Sequence, residues 1–282
     1  MKKFLLLGVF FPAIVQAQWH VDILGGFSNY IGDLQSKPYT TQQAHGAFTL
    51  GLQYDLNAHF SIRGNGSYGK VGASDAYSSK PDVRARNLSF QTRIYEGSLL
   101  LEYNIMDLNE KKWTPYLFAG AAVFHFNPYA YDSLGHKLYL RQLSTEGEGL
   151  PQYPDRKPYN LFQMAIPFGG GIKLRVTDNV VIAYEIGLRK LFTDYLDDVS
   201  STYVDRAILL AAKGPDAVMM AYRGGELKGG ASYPPDGTLR GNPKTKDWYY
   251  LSGIRVIIGF NTKRSMEYRR SKSIYDCPRK VY

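Results

Sequence analysis

The sequence predicts an all-β fold: a transmembrane, antiparallel, up-and-down β-barrel of about eight strands, with short periplasmic turns and long extracellular loops. Three observations predict it. The chain opens on a secretory leader. Apolar and polar residues then alternate with a period of two in segment after segment. The connections between those segments fall into a short class and a long class.

The leader comes first in the chain. Met1-Lys2-Lys3 is a basic start, Phe4 to Ile14 an apolar run, and Val15-Gln16-Ala17 the small-residue pattern a signal peptidase cuts after. The run is too short to span a bilayer as a helix, and no stop-transfer pattern follows it. Cleavage between Ala17 and Gln18 divides the chain into a signal peptide (1–17), a barrel (18–262) and a basic C-terminal tail (263–282). No lipobox cysteine follows the leader, which excludes a lipoprotein.

Eight segments carry the alternation. Trp19, Val21, Ile23 and Phe27 alternate with His20, Asp22 and Ser28; Phe48, Leu50, Leu52 and Tyr54 alternate with Thr49, Gly51, Gln53 and Asp55. Further segments start near Phe60, Tyr95, Phe168, Tyr184 and Ile254. Trp113 to Phe126 is apolar on both faces and is the least regular of the eight. One such segment fits any half-buried strand, so the inference rests on repetition.

Three connections are tight: Asn57 to His59, Asp107 to Lys112 and Thr177 to Asn179. Four are long: Gly32 to His45, Ala73 to Asn87, Pro128 to Pro158 and Tyr195 to Asp247. Short turns on one rim and long loops on the other is the layout of outer-membrane barrels, and an even strand count puts both ends on the periplasmic side. The predicted location is the outer membrane of a Gram-negative-type cell, multi-pass, with the tail in the periplasm. Trp19, Tyr30, Trp113, Tyr116, Tyr159, Trp248, Tyr249, Tyr250 and Phe260 lie near predicted strand ends and are expected to form interfacial girdles. Within the fourth loop, Arg206 to Tyr222 predicts short helices interrupted at Gly214-Pro215, as a lid on the barrel mouth or a partner surface.

Net charge is +9, and +7 once Lys2 and Lys3 leave with the leader. In a secreted chain that balance points to anionic lipid headgroups or an acidic protein, not nucleic acid. Arg63, Glu96, Glu102, Lys173, Arg175, Glu185, Arg189 and Arg255 share the inward parity. Eight strands leave an interior that side chains fill. The eight charges therefore predict a polar plug rather than a conducting pore.

Catalysis and cofactors are not expected. His20, His45, His59, His125 and His136 are scattered, and no nucleophile stands beside an oriented base. Asp194, Asp197 and Asp198 cluster, but the spacing and turn glycine of a calcium loop are absent, and turn capping accounts for them. Gly169-Gly170-Gly171 lacks the lysine and the strand-to-helix setting of a phosphate loop, and is read as a close strand contact.

The tail is too polar to extend the last strand. Lys263, Arg264, Arg269, Arg270, Lys272, Arg279 and Lys280 face only Glu267 and Asp276, and the chain's one cysteine, Cys277, sits among them. The seven basic residues are the candidate docking segment, and Cys277 the candidate thiol for a bridge to a neighbouring subunit.

Four motifs carry a resemblance. Tyr30-Ile-Gly-Asp-Leu34, Phe192-Thr-Asp-Tyr-Leu-Asp-Asp-Val-Ser-Ser-Thr-Tyr203, Arg240-Gly-Asn-Pro-Lys-Thr-Lys-Asp-Trp-Tyr249 and Asp276-Cys-Pro-Arg279 resemble the PorG-like barrel family of Bacteroidota, over nearly the whole mature chain. The second, with Asp194, Tyr195, Leu196, Asp197 and Asp198 at its centre, is the most specific. The resemblance implies a non-enzymatic outer-membrane subunit of the type IX protein secretion apparatus. Its implied partners are a periplasmic ring of a PorK-like lipoprotein and its PorN-like companion. The alternative is a surface adhesin or receptor that works through the long loops.

Overall fold

The computed structural model describes residues 18–35 and 40–260. The leader, with Ala17, and the tail, with the seven basic residues and Cys277, lie outside the described residues. Eight long strands are β1 (Gln18–Ile31), β2 (His45–Asp55), β3 (Phe60–Ser74), β4 (Ser89–Asn104), β5 (Trp113–His125), β8 (Phe162–Arg175), β9 (Val180–Leu191) and β10 (Trp248–Gly259). Between β5 and β8, a small hairpin of β6 (Tyr129–Tyr131) and β7 (Lys137–Tyr139) hangs from β4 through the Gln91–Tyr129 pair.

Each long strand pairs antiparallel with its chain neighbour, and β1 pairs with β10 from His20–Gly259 to Ile31–Trp248. The ring is therefore closed: an eight-stranded, up-and-down barrel without an open edge. The irregular segment at Trp113 is an ordinary barrel strand. Its inward positions carry Tyr116, Phe118 and Phe124, which explains why it reads as apolar on both faces.

Alternation sets the two faces. On β4, Tyr95, Leu99 and Leu101 are half or more exposed while Glu96, Leu100 and Glu102 are buried. The other strands repeat this, so the outer wall is an apolar band and the interior mixes paired charges with aromatic rings. A wall of exposed Leu, Ile, Val and aromatic side chains suits lipid rather than water. No described helix is long and apolar enough to cross a membrane.

The tight turns lie on one rim. At the first, Asn57 Oδ1 accepts from the backbone N–H groups of His59 and Phe60, both at 2.9 Å. At the third, Thr177 Oγ1 accepts from Val180 N at 3.0 Å. Phe260 N donates to Trp19 O at 3.1 Å, so both ends of the described barrel lie on this short-turn rim.

The opposite rim carries all four long connections. They hold α1 (Pro81–Arg86), α2 (Leu140–Leu143), α3 (Arg206–Lys213) and α4 (Pro215–Ala221). The predicted break falls between α3 and α4, where Gly214 adopts φ +85°. Asp205 caps α3 by accepting from Ala207 N and Ile208 N. Leu150, Val204, Leu209, Ala217, Val218 and Ala221 form a core of their own, so the loops are a packed cap.

The expected girdle is only partly there. Trp19, Trp113 and Phe260 stand exposed on the outer wall. Tyr30, Tyr116, Tyr159, Tyr249 and Tyr250 are instead buried. Tyr30, Tyr116, Tyr159 and Tyr249 have hydroxyls that donate to buried carboxylates, a bond that lipid does not offer.

Candidate functional site

Two buried polar layers occupy the barrel axis, one in the lumen and one in the cap. In the lumen, Glu102 is the hub. Its carboxylate meets Arg255 at 2.9 Å, Arg63 at 3.3 Å and the Lys173 ammonium. Glu185 meets Arg63 at 2.8 Å and accepts from the Tyr116 hydroxyl at 2.7 Å. Nearer the cap, Arg189 pairs with Glu96 at 3.0 Å, and Tyr249 donates to the same carboxylate.

Seven of the eight predicted lumen residues thus come together. Arg175 does not. It stands half-exposed at the end of β8, where its N–H meets Lys112 O, and no ion pair reaches it among the described residues. It has the inward parity but lies at the rim, where water solvates it. Asp22 is the member the sequence reading missed. It takes Arg255 Nε at 2.9 Å, across the β1–β10 closure.

Among the described residues the buried lumen charges then balance: Asp22, Glu96, Glu102 and Glu185 against Arg63, Lys173, Arg189 and Arg255. Buried charges persist only when paired and hydrogen-bonded. Glycines make room for the rings among them. A Cβ on Gly169 would stand 2.1 Å from Ile186 O and 2.9 Å from Phe118, and one on Gly171 would stand 2.0 Å from Tyr184 O. The Gly169–Gly171 run is a close strand contact, and Tyr116 and Phe118 lie on it.

In the cap, Glu146 and Arg240 hold the four long loops together. Glu146 accepts from Ser200 N and Ser201 N, both at 2.9 Å, and from Arg240 at 3.1 Å. Arg240 also donates to the carbonyls of Ala221 and Asp198, and Arg86 donates to Arg240 O. Arg86 clamps Asp75 through two 2.8 Å bonds and reaches Asp33 O at 3.3 Å. The first, second, third and fourth loops all meet here.

The aspartate motif is the underside of this layer. The Tyr30 hydroxyl, on β1, donates to Asp197 at 2.5 Å and lies 3.0 Å from an Asp247 oxygen. Asp247 accepts from Leu196 N at 2.9 Å, and Asp197 from Val199 N at 2.9 Å. Asp198, in the left-handed region at φ 65°, accepts from Thr145 and from the Tyr159 hydroxyl. Asp194 accepts from Ser200 at 2.7 Å, and the Tyr195 ring stacks on Tyr159 at 4.9 Å. Leu196 is fully buried.

The three aspartates bond to backbone, hydroxyls and Arg240, and among the described residues no group of three or more His, Cys, Asp or Glu is placed to hold a metal. Burial pushes the carboxyls up. Asp194 and Asp198 rise to about 6, the latter against the pull of Arg240. Asp197 and Asp247 rise well above the carboxylate range through burial and neighbouring negative charge. Glu148 rises to about 8 through burial, then through Asp198 and Glu146.

The sequence profile described as "Domain of unknown function (DUF6089)" matches residues 2–207. The chain belongs to the DUF6089 family. No curated protein matches it. Among solved structures, this DUF6089 barrel is similar to Neisserial surface protein A, NspA, with TM-score 0.43 and 10% identity over 86% of this chain and 99% of that one. It is also similar to Ail, the attachment invasion locus protein of Yersinia pestis, in complex with the heparin analogue sucrose octasulfate. There the TM-score is 0.40 at 10% identity, covering 86% and 99%. OprG of Pseudomonas aeruginosa gives 0.34 at 10%, covering 86% and 96%.

Proposed function

We propose that this chain is a non-enzymatic outer-membrane subunit of a type IX secretion apparatus. It anchors a periplasmic ring of a PorK-like lipoprotein and a PorN-like companion to the membrane. The observation that carries the reading is the lumen itself: paired charges and aromatic rings occupy an interior that eight strands leave only side-chain wide, so the barrel acts at its rims. Both described ends lie on the short-turn rim, the side outer-membrane topology assigns to the periplasm, and in the sequence the basic tail follows the last strand. The aspartate and Arg240 motifs that resemble the PorG-like family hold the cap shut, which leaves the opposite rim to the partner.

A chain ending at Thr262 tests this. It is expected to insert and to show the heat-modifiable gel mobility of a folded barrel, yet to lose co-purification of ring components from crosslinked membranes. Retention of the ring would remove the tail from the interface. With Cys277→Ser, a higher-mass species on non-reducing gels is expected to disappear.

One observation favours a second reading, a surface adhesin or receptor. The third and fourth loops pack on a core of their own, built from Leu150, Val204, Leu209, Ala217, Val218 and Ala221. Deleting residues 206–233 separates the two readings: loss of cell-surface binding with secretion intact supports the adhesin, and surface binding that survives the deletion removes it.

A further inference from the structure

The outer wall is uneven in one sector, where β2, β3, β4 and β5 meet toward the long-loop rim. Pairing puts Gly66 opposite Gly97, with Leu50 beyond the first and Val123 beyond the second. Both glycines face outward, and a Cβ on Gly97 would meet nothing within 4 Å. Gly64, the next outward position on β3, is equally open. Glycine weakens a strand and packs against nothing here, so the bare wall has no internal reason to stay bare.

The result is an open groove of about 550 Å³. Its upper edge, toward the loops, is a row of rings. Tyr68 and Tyr95 lie 5.3 Å apart, Tyr95 and His125 6.4 Å, and His125 and Phe162 4.8 Å.

Directly above the two tyrosines, Lys70 pairs with Arg93 across β3 and β4. Like charges directly opposite each other repel, and such pairs are destabilising. Among the described residues no hydrogen bond or ion pair reaches either side chain. A third cation stands nearby: Lys137 lies 3.8 Å over the Tyr129 ring, and both Lys137 and Arg93 act electrostatically on the Tyr129 hydroxyl.

From this arrangement we infer a binding site for one anionic, phosphate-bearing membrane lipid. Its phosphate lies between Lys70 and Arg93, and one acyl chain runs down the Gly64–Gly66–Gly97 groove beneath the tyrosines. Four residues separate Lys70 from Gly66, about 13 Å along the strand, so headgroup and chain are engaged together by one lipid. An anion between the two cations turns their repulsion into a shared attraction, and an acyl chain supplies the apolar contact the glycines lack. The site needs the barrel to sit in a membrane and is independent of the secretion role.

The test uses the full mature protein, folded into detergent micelles and doped separately with phosphatidylglycerol, lipid A or phosphatidylcholine. Native mass spectrometry then counts the lipids retained. The wild type is expected to keep one anionic lipid in preference to phosphatidylcholine. The Lys70→Ala/Arg93→Ala pair should lower that retention roughly tenfold or more. Gly97→Leu, which fills the groove and leaves both charges, should lower it as well. Lys190→Ala, at an exposed cation on β9 outside this sector, should change nothing. Heat-modifiable gel mobility confirms that each variant is folded. Equal retention of anionic and zwitterionic lipid by the wild type, or unchanged retention in the charge pair, overturns the site.

Discussion

Glu102→Gln removes one charge and almost no volume from the lumen, which makes it the sharpest probe of the plug. The carboxylate serves three cations: Lys173, Arg63 and Arg255. Its loss leaves Asp22, Glu96 and Glu185 against four buried cations, with Lys173 holding only Asn104 at 2.9 Å. Breaking one partner of a buried pair costs about 3–5 kcal/mol, because the remaining charge stays out of water. At about 2–4 °C per kcal/mol for a chain of this size, the unfolding midpoint should fall by about 10 °C. The measurement is a heat-modifiability series on gels, checked by loss of β-sheet circular dichroism in detergent. The control is Glu102→Gln with Lys173→Met, which deletes both partners and should recover much of the loss. A midpoint unchanged in the single variant, or a double variant as weak as the single, would refute the view that these charges are held by pairing.

Three further perturbations follow from the geometry. Arg240→Ala removes the guanidinium that ties Glu146 to the carbonyls of Ala221 and Asp198, so the cap should open by about 3 kcal/mol or more while the barrel stays folded, read as selective protease cleavage in the long loops. Gly169→Val would drive its Cβ against Ile186 O and the Phe118 ring, and should abolish assembly into a heat-modifiable barrel, whereas Gly97→Val, outward and unobstructed, should assemble normally. Wild-type protein in planar bilayers should show no steady conductance, and an ohmic pore would contradict the filled lumen.

Much of the barrel was legible because a strand has a period of two, so parity alone names the face. That is why Glu102 and Arg255 could be put in the lumen from sequence. Parity gives a face but not a depth, which is where Arg175 departs. Asp22 was visible in the inward parity beside His20, but its partner appears only when β1 closes on β10, 233 residues away in sequence. Tyr30 and Tyr249 lie near strand ends, which suggests a girdle, yet they share the inward parity of Asp22 and Arg255; Tyr116 sits on a strand apolar on both faces, where parity names no side. The cap was the least legible part. Its bonds have no period: Glu146 reaches Ser200 across 54 residues, and Asp33 accepts from Asn242 N across 209. Only the helix break at Gly214-Pro215 and the turn that Asp197 caps at Val199 N are local enough to read directly; Asp194 and Asp198, expected to cap turns as well, bond instead to the side chains of Ser200, Thr145 and Tyr159.

The two layers differ in charge, and that difference makes the cap sensitive to pH. Lumen charges pair one to one. In the cap, among the described residues, the buried carboxyls of Asp75, Glu146, Glu148, Asp194, Asp197, Asp198 and Asp247 meet only two buried guanidiniums, Arg86 and Arg240. Burial and crowded negative charge push up the carboxyls of Glu148, Asp194, Asp197, Asp198 and Asp247. Glu148, buried beside Asp198 and Glu146, is raised to about 8, and its Oε1 has no hydrogen-bond partner. A carboxyl whose folded value exceeds its open-loop value keeps a proton that opening releases. Its contribution is fully present below the ordinary value of 4.5 and is lost as pH rises through about 8. Asp194 and Asp198 add the same trend between the ordinary 3.8 and about 6. The cap should therefore tighten in mild acid, opposite to the usual acid loosening of carboxylate-rich folds. Between pH 5 and 8, each retained proton raises the opening constant about tenfold per pH unit. Hydrogen exchange at the Ser200 and Ser201 amides, which donate to Glu146, should follow that slope after correction for intrinsic exchange. Glu148→Gln should lower the slope in the upper half of the window, where Asp197 and Asp247 also stay raised, and leave the lower half, to which Asp194 and Asp198 add, in place. Protection that grows with pH in the wild type would show that these carboxyls are held ionised, and that the Arg86 and Arg240 charges suffice for all of them.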